Sequence, residues 1–313
     1  TVRKQENTLR RSLNVLQQLL EDSGLQYDYL PPEEMENGSW KQNYRVLFLP
    51  FALSLSQSTL ASIEEFVKDG GLVIADCVPG EFDDVLRPGP AKMLEGRFQP
   101  ESGNWRLYDW KTYSKVRKNQ KQGTEARQQL LALLSGYRTS RTQLHGGGVV
   151  GVEKIEYQLP SGGLLIALLN YQPESRELTL GLPAGKVLYD LRGAGKIGVA
   201  DSHTLLLPGG EVKIFALLDA ELPALELEKP DAVLRGGLGA FRLRNGKQSN
   251  AYHLQFFDAA GKERREYAKT LLSGEEYLLR PALNDPVGTW QVQAKDTISG
   301  QLHQAEFIVK PAQ

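Results

Sequence analysis

A chain of 313 residues exceeds what one hydrophobic core usually fills and implies two or three domains. Its 37 basic and 38 acidic residues leave a formal charge of −1, which removes any bulk electrostatic case for nucleic acid, and 41% hydrophobic residues exclude wholesale disorder. No run reaches the roughly 18 apolar residues of a membrane span, and the single cysteine, Cys77, excludes an internal disulfide or a cysteine-rich zinc site while leaving the compartment open.

Leu9, Leu13, Leu16 and Leu20 are spaced for one apolar helix face, and Gly24 ends that helix. Gln26 to Leu30 reads as a short strand stopped by Pro31-Pro32. A parallel α/β domain normally opens with a strand, whereas this chain opens at Thr1 inside a helix. The expectation is a fragment, or a mature form whose leading part has been removed. Val46 to Leu49 is apolar without alternation, as a strand covered on both faces should be. Ser56 or Ser58 can cap the next helix, whose buried stripe is Leu60, Ile63, Phe66 and Val67. Gly70-Gly71 closes it, and a second strand runs from Leu72 to Asp76. Strand, helix and strand make a βαβ unit of an open parallel sheet, whose ligands sit beyond the carboxyl ends of the strands.

From Glu81 to Gly123 the pattern dissolves into a long polar segment carrying Trp105, Tyr108, Trp110 and Tyr113, and a helix returns over Thr124 to Leu134. After Gly146-Gly147-Gly148 the period changes to that of strands: Val150 to Leu159, Leu164 to Tyr171, Arg176 to Leu182, Lys186 to Leu191, Thr204 to Leu207 and Val212 to Leu218. Beyond Leu222-Pro223 the strand pattern restarts, with Ala251 to Phe257, Glu276 to Leu279, Trp290 to Ala294 and Ala305 to Val309. The expected fold class is α/β plus all-β. A flavodoxin-like three-layer parallel-sheet domain spans 1–145, a small antiparallel β-sandwich 146–221 and an immunoglobulin-like β-sandwich 222–313.

The segments LFLPFALSLS and SIEEFVKDGGLVIADCVPGEFDD resemble the β-galactosidase trimerisation domain. That is a class I glutamine-amidotransferase-like, flavodoxin-like module behind the catalytic barrel of glycoside hydrolase family 42 enzymes. The resemblance covers roughly residues 1 to 140 and is densest from Leu49 to Asp84. LIALLNY, LTLGLPAGKVLYDLRG and EVKIFALL are similar to the β-rich domain that follows in that family, and LNDPVGTWQVQAKDTISG resembles bacterial immunoglobulin-like or macroglobulin-like modules. The family's acid/base and nucleophile are carboxylates of a (β/α)8 barrel that is absent here. No catalytic residue carries over, and the resemblance implies oligomerisation and support.

Cys77, at the end of a strand, is the sharpest chemical candidate, since amidotransferases place their nucleophile on a comparable turn. It needs a base and an oxyanion hole. His145 is the only histidine of the first domain, the glycine-cysteine-x-glycine elbow is missing, and Pro79 removes an N–H, so a small apolar filler is the simpler reading. Glu81, Asp83 and Asp84 form an acidic cluster with Asp76; paired carboxylates can hydrolyse glycosides or hold calcium, yet these share one loop and no facing partner. Trp105, Tyr108, Trp110 and Tyr113 can contact carbohydrate, anchor an interface or pack within the chain. Lys111, Lys115, Arg117, Lys118 and Lys121 read as a solvated face. His203, His253 and His303 show no metal spacing.

These residues point to a non-catalytic accessory and oligomerisation region of a β-galactosidase-like glycoside hydrolase, without cofactor or metal. It is expected to be a homo-oligomer through the α/β domain, with carbohydrate as a possible further partner, no nucleic acid and no membrane span. Two alternatives are a stand-alone cysteine hydrolase or amidotransferase-like enzyme using Cys77, and a carbohydrate-binding protein.

Overall fold

The computed structural model describes residues 2–83, 85–89, 94, 97–98, 103–137, 141–146, 149–160, 162–193, 195–244 and 250–312. It is a mixed α/β protein with strands in several sheets and divides into two compact units. Unit 1 comprises 1–155, 169–180 and 204–210; unit 2 comprises 156–168, 181–203 and 211–313.

Unit 1 is built on a parallel sheet. Helix α1 (Val2–Asp22) leads to α2 (Pro32–Asn37), β1 (Val46–Leu49), α3 (Gln57–Lys68), β2 (Leu72–Ala75) and β3 (Trp105–Leu107). Then come α4 (Tyr113–Val116), α5 (Gln120–Leu133) and β4 (Gln143–His145). The sheet order is β1-β2-β3, with Val46 opposite Leu72 and Val73 opposite Trp105, both pairings parallel. Side chains of a strand alternate between faces, and here both faces are covered. Leu47, Leu49, Val73, Ala75 and Trp105 pack with Met35, Trp40, Ile63 and Phe66. Val46, Phe48, Leu72 and Ile74 pack with Val15, Leu16, Leu19, Leu20, Tyr113 and Leu130.

The local chemistry of the βαβ unit is as its sequence implies. Ser56 caps α3 by accepting from Thr59 N–H at 3.1 Å. Gly70 takes φ +93°, and a β-carbon on Gly71 would lie 2.4 Å from the Phe66 ring. At the end of α1, Leu25 N–H bonds Leu20 C=O and Gly24 N–H bonds Glu21 C=O, with Gly24 at φ +66°. This is the Schellman arrangement, in which glycine carries the left-handed turn.

Three details of the first domain differ from expectation. Residues 26–30 form no strand; they run irregularly into Pro31-Pro32, and the phenols of Tyr27 and Tyr29 reach back to Glu21 and Gln17. The buried face of α1 is Ser12, Val15, Leu16, Leu19 and Leu20, while Leu9 is exposed and Leu13 only half-buried. The helix is turned so that Ser12 and Asp22, rather than Leu9 and Leu13, meet the interior. The segment 81–123 holds the third parallel strand, β3, as well as α4, and α5 starts at Gln120, capped by Asn119 through Gln122 N–H at 3.0 Å.

The middle of the chain continues as β5 (Val152–Gln158), β6 (Leu164–Asn170), β7 (Arg176–Gly181), β8 (Val187–Asp190), β9 (Gly195–Val199), β10 (Ser202–Leu207) and β11 (Val212–Leu218). Two sheets result, of order β10-β7-β4 and β5-β6-β11-β8-β9. Of these strands, β4 and β9 are too short or too glycine-rich to be read from pattern.

The last part of unit 2 contains β12 (Glu226–Glu228), β13 (Ala232–Leu234), β14 (Gly239–Arg244), β15 (Ala251–Phe257), β16 (Lys269–Leu272), β17 (Glu276–Leu279), β18 (Gly288–Asp296) and β19 (Leu302–Lys310). They form sheets of order β12-β14-β17 and β13-β19-β18-β15-β16 that share one core. Phe241, Leu243 and Leu279 from the first sheet face Tyr252, Leu254, Phe256, Trp290, Val292 and Phe307 from the second. Phe241 sits edge-on to both Phe256 and Phe307, at 5.3 and 5.2 Å between ring centres. No helix among the described residues is long and apolar enough to cross a membrane.

Candidate functional site at the carboxyl edge of the parallel sheet

In a parallel sheet all strands end on one edge, and that edge is where a ligand or a catalytic group is expected. Here the chain leaving each strand contributes to one polar cluster. Asp76 follows β2, Phe51 lies just past β1, and Lys111 lies past β3 in a short 3-10 turn (Trp110–Thr112). The Asp76 side chain is 0% exposed. One of its oxygens accepts from Phe51 N–H at 2.7 Å; the other accepts from Ser12 Oγ at 2.6 Å and pairs with Lys111 Nζ at 3.0 Å. Ser12 in turn accepts from Trp110 Nε1 at 3.1 Å. Phe51 holds the left-handed φ of +46°, unusual for a side chain with a β-carbon, and the Lys111 ammonium lies 5.6 Å from its ring centre.

The loops beyond the strands are stitched together over this cluster. Gly80 N–H bonds Ala52 C=O, Phe82 N–H bonds Leu53 C=O, and Leu55 N–H bonds Phe82 C=O, at 2.9 to 3.1 Å. A parallel bridge joins Ser54 and Phe82. The edge that hosts chemistry in related architectures is thus occupied by the protein's own hydrogen bonds.

Cys77 stands next to this cluster, half-buried. Burial, and after it the adjacent Asp76 carboxylate, push its thiol up to about 11, with Lys111 opposing. At neutral pH it is therefore a thiol and not a nucleophilic thiolate. His145 lies in β4, exposed, and among the described residues no hydrogen bond joins it to Cys77.

Of the acidic loop, Glu81 is exposed, and Asp84 lies outside the described residues. Asp83 bonds its own loop: Oδ1 accepts from Val85 N–H at 3.0 Å and Arg87 N–H at 2.8 Å. No group of three or more metal-ligating side chains occurs among the described residues.

The four aromatic candidates pack within the chain. Trp105 meets Phe98 edge-on at 5.1 Å, and Trp110 and Tyr113 are 1% exposed. Tyr108 is half-buried and donates to Ala126 C=O at 3.2 Å.

A second buried carboxylate, Asp22, went unread in the sequence. Its side chain is 0% exposed and accepts from Tyr113 OH at 2.7 Å, Arg117 Nε at 2.6 Å and Nη2 at 3.0 Å, and Gly151 N–H at 2.8 Å. Two cations of the supposed solvated face, Lys111 and Arg117, are therefore partners of interior carboxylates. The available signal was the spacing Trp110, Tyr113, Val116, which marks a buried helical stripe and places Lys111 and Arg117 beside it.

No family model and no curated protein matches the chain. Among solved structures it is similar to the apo GH42 exo-carrageenase from Bacteroides ovatus, with 11% identity over 66% of this chain and 26% of that one, and a TM-score of 0.44. It is also similar to the superoxide reductase (neelaredoxin) from Ignicoccus hospitalis, with 12% identity over 28% of this chain and 82% of that one, and a TM-score of 0.22. The chain spans about a quarter of the exo-carrageenase's length. Likenesses this remote decide neither fold nor chemistry.

Proposed function

We propose that this chain is a non-catalytic accessory and oligomerisation region of a β-galactosidase-like glycoside hydrolase, whose catalytic barrel lies outside these residues. The observation that carries the reading is the consumption of Asp76. The carboxylate best placed for chemistry is buried and engaged by Ser12, Phe51 and Lys111 of the chain itself. The raised thiol of Cys77 weighs in the same direction, against the cysteine-hydrolase alternative. The resemblance of the segment 47–84 to a trimerisation domain supplies the assembly role.

Within this reading the chain divides into a flavodoxin-like domain at 1–145, a small β-sandwich at 146–221 and an immunoglobulin-like sandwich at 222–313. Assembly runs through the first domain. Val85 and Leu86 stand 59% and 74% exposed on its 81–89 loop, Leu86 at φ +62°. A strained, tightly bonded loop that offers two apolar side chains to water suits a subunit contact. Sedimentation equilibrium tests this: the protein should sediment as a trimer or other oligomer, and Leu86→Asp should shift it towards the monomer. A strictly monomeric intact protein contradicts the reading.

A further inference from the structure

The turn that follows α2 carries a reactive pair of residues. Asn37 is the last residue of α2, a six-residue helix without a side-chain cap at Pro31, and Gly38 follows it at φ +71°. The Asn37 side chain is exposed. Its Oδ1 accepts from Ser39 N–H at 2.9 Å and from Ser39 Oγ at 2.7 Å, while its Nδ2 makes no hydrogen bond among the described residues. Ser39 opens a 3-10 turn (Ser39–Gln42) that seats Trp40 in the core. Trp40 is 2% exposed, donates to Met35 C=O at 3.1 Å, and its ring centre lies 4.8 Å from that of Phe66.

An asparagine side chain is open to attack by the backbone nitrogen that follows it. The Gly38 nitrogen gives its proton to water or hydroxide and bonds to Asn37 Cγ, closing a succinimide ring. The Cγ–Nδ2 bond breaks, and Nδ2 takes a proton from water and leaves as ammonia. Water then opens the ring. Cleavage at Cγ gives aspartate, and cleavage at the backbone carbonyl gives isoaspartate. Three features favour the attack here. Gly38 brings no side chain against the closing ring. Negative charge gathers on Oδ1 as the ring closes, and both Ser39 donors are already bonded to that oxygen. Closure also requires Asn37 to leave the helical backbone state, and the end of a short, uncapped helix opens at least cost. Isoaspartate inserts a methylene into the backbone three residues before Trp40, so its formation acts on the turn that seats that ring.

We propose that Asn37-Gly38 is a self-modifying site, at which Asn37 converts to isoaspartate with Ser39 assisting and so loosens the anchorage of Trp40. Ageing the intact folded protein at neutral pH, followed by peptide mapping with mass spectrometry, tests it. The peptide holding Asn37 should gain the mass of an amide-to-acid exchange and contain isoaspartate as well as aspartate. A second Asn-Gly pair, Asn245-Gly246, lies outside the described residues, and the mapping keeps its products apart. The rate at Asn37 should fall about fivefold in Ser39→Ala, the scale of one lost hydrogen bond. Ser39→Thr, which keeps both donors, should retain it, and Asn37→Gln should abolish the product. All three substitutions are at exposed positions, and circular dichroism confirms that each variant is folded. Isoaspartate-bearing protein, separated by its added charge, should melt below the unmodified protein. The proposal is overturned if isoaspartate forms at Asn37 in urea but not in the folded chain, if Ser39→Ala reacts as fast as wild type or faster, if Ser39→Thr is as slow as Ser39→Ala, or if the modified protein melts with the unmodified.

Discussion

Removing the Asp76 carboxylate should unfold the edge of the parallel sheet from within. In Asp76→Ala the Phe51 N–H loses its acceptor at 2.7 Å and the Ser12 hydroxyl loses its acceptor at 2.6 Å. An unmet buried donor costs about 1–3 kcal/mol. Lys111 is 31% exposed and recovers part of its loss by turning to water. Phe51, freed from the bond that holds it at φ +46°, can relax from a backbone state that costs about 1–2 kcal/mol for a residue with a β-carbon, which offsets part of the loss. The net loss falls near 2–4 kcal/mol, close to the range for breaking one side of a buried ion pair. Asp76→Asn keeps an acceptor for Phe51 N–H and should cost roughly half as much. Urea unfolding followed by tryptophan fluorescence is the assay, because Trp40, Trp105 and Trp110 all lie in unit 1 and Trp110 bonds Ser12 directly. The protein has two units, so the transition is fitted as two steps, and the shift should fall in the step that carries most of the fluorescence change. A change below about 0.5 kcal/mol for Asp76→Ala, the scale of an ordinary surface substitution, would refute the reasoning.

Asp22→Ala should be comparably damaging, at about 3–5 kcal/mol, because it strands Arg117, Tyr113 OH and Gly151 N–H together; the same urea titration reads it. Gly71→Ala places a β-carbon 2.4 Å from the Phe66 ring and should cost about 1–3 kcal/mol by overpacking, seen as a lower melting temperature. His203 is held below its ordinary value by burial, so the unfolded chain takes up the proton first. This group's contribution to stability should decline as pH falls below about 6.5, and thermal melts of wild type and His203→Gln should converge there.

The parts of the fold that local chemistry determines were legible in the sequence. An unbroken apolar run, a capping serine and a glycine pair specify β1, α3 and β2 without help from distant residues. The third strand was not legible. Trp105–Leu107 is short, lies in a polar stretch, and becomes a strand because Val73 and Ile74 offer it a parallel edge. The same limit governs the site. Asp76 was visible as one acid among several, but its partners Ser12 and Phe51 lie 64 and 25 residues away, and only the folded chain makes it a closed node. The tilt of α1 follows from that node and from Asp22: two polar residues with interior partners override the leucine spacing that favoured another face. In the C-terminal sandwich the long strands β15, β18 and β19 carry enough alternation to be read, whereas β12, β13 and β16 are short and are defined by the neighbours they pair with.

The pH dependence of Cys77 alkylation tests the central claim most directly, since the proposed supporting role requires an unactivated thiol. With iodoacetamide on the folded protein, the rate should be low at neutral pH and should rise with an inflection near 11, where burial and Asp76 place the thiol. The sign follows: the unfolded chain, with its thiol near 9, ionises first, so stability should fall as pH rises from about 9 to about 11. Rapid alkylation with an inflection below pH 8 would contradict the account, because it would mean a thiolate stabilised for nucleophilic work.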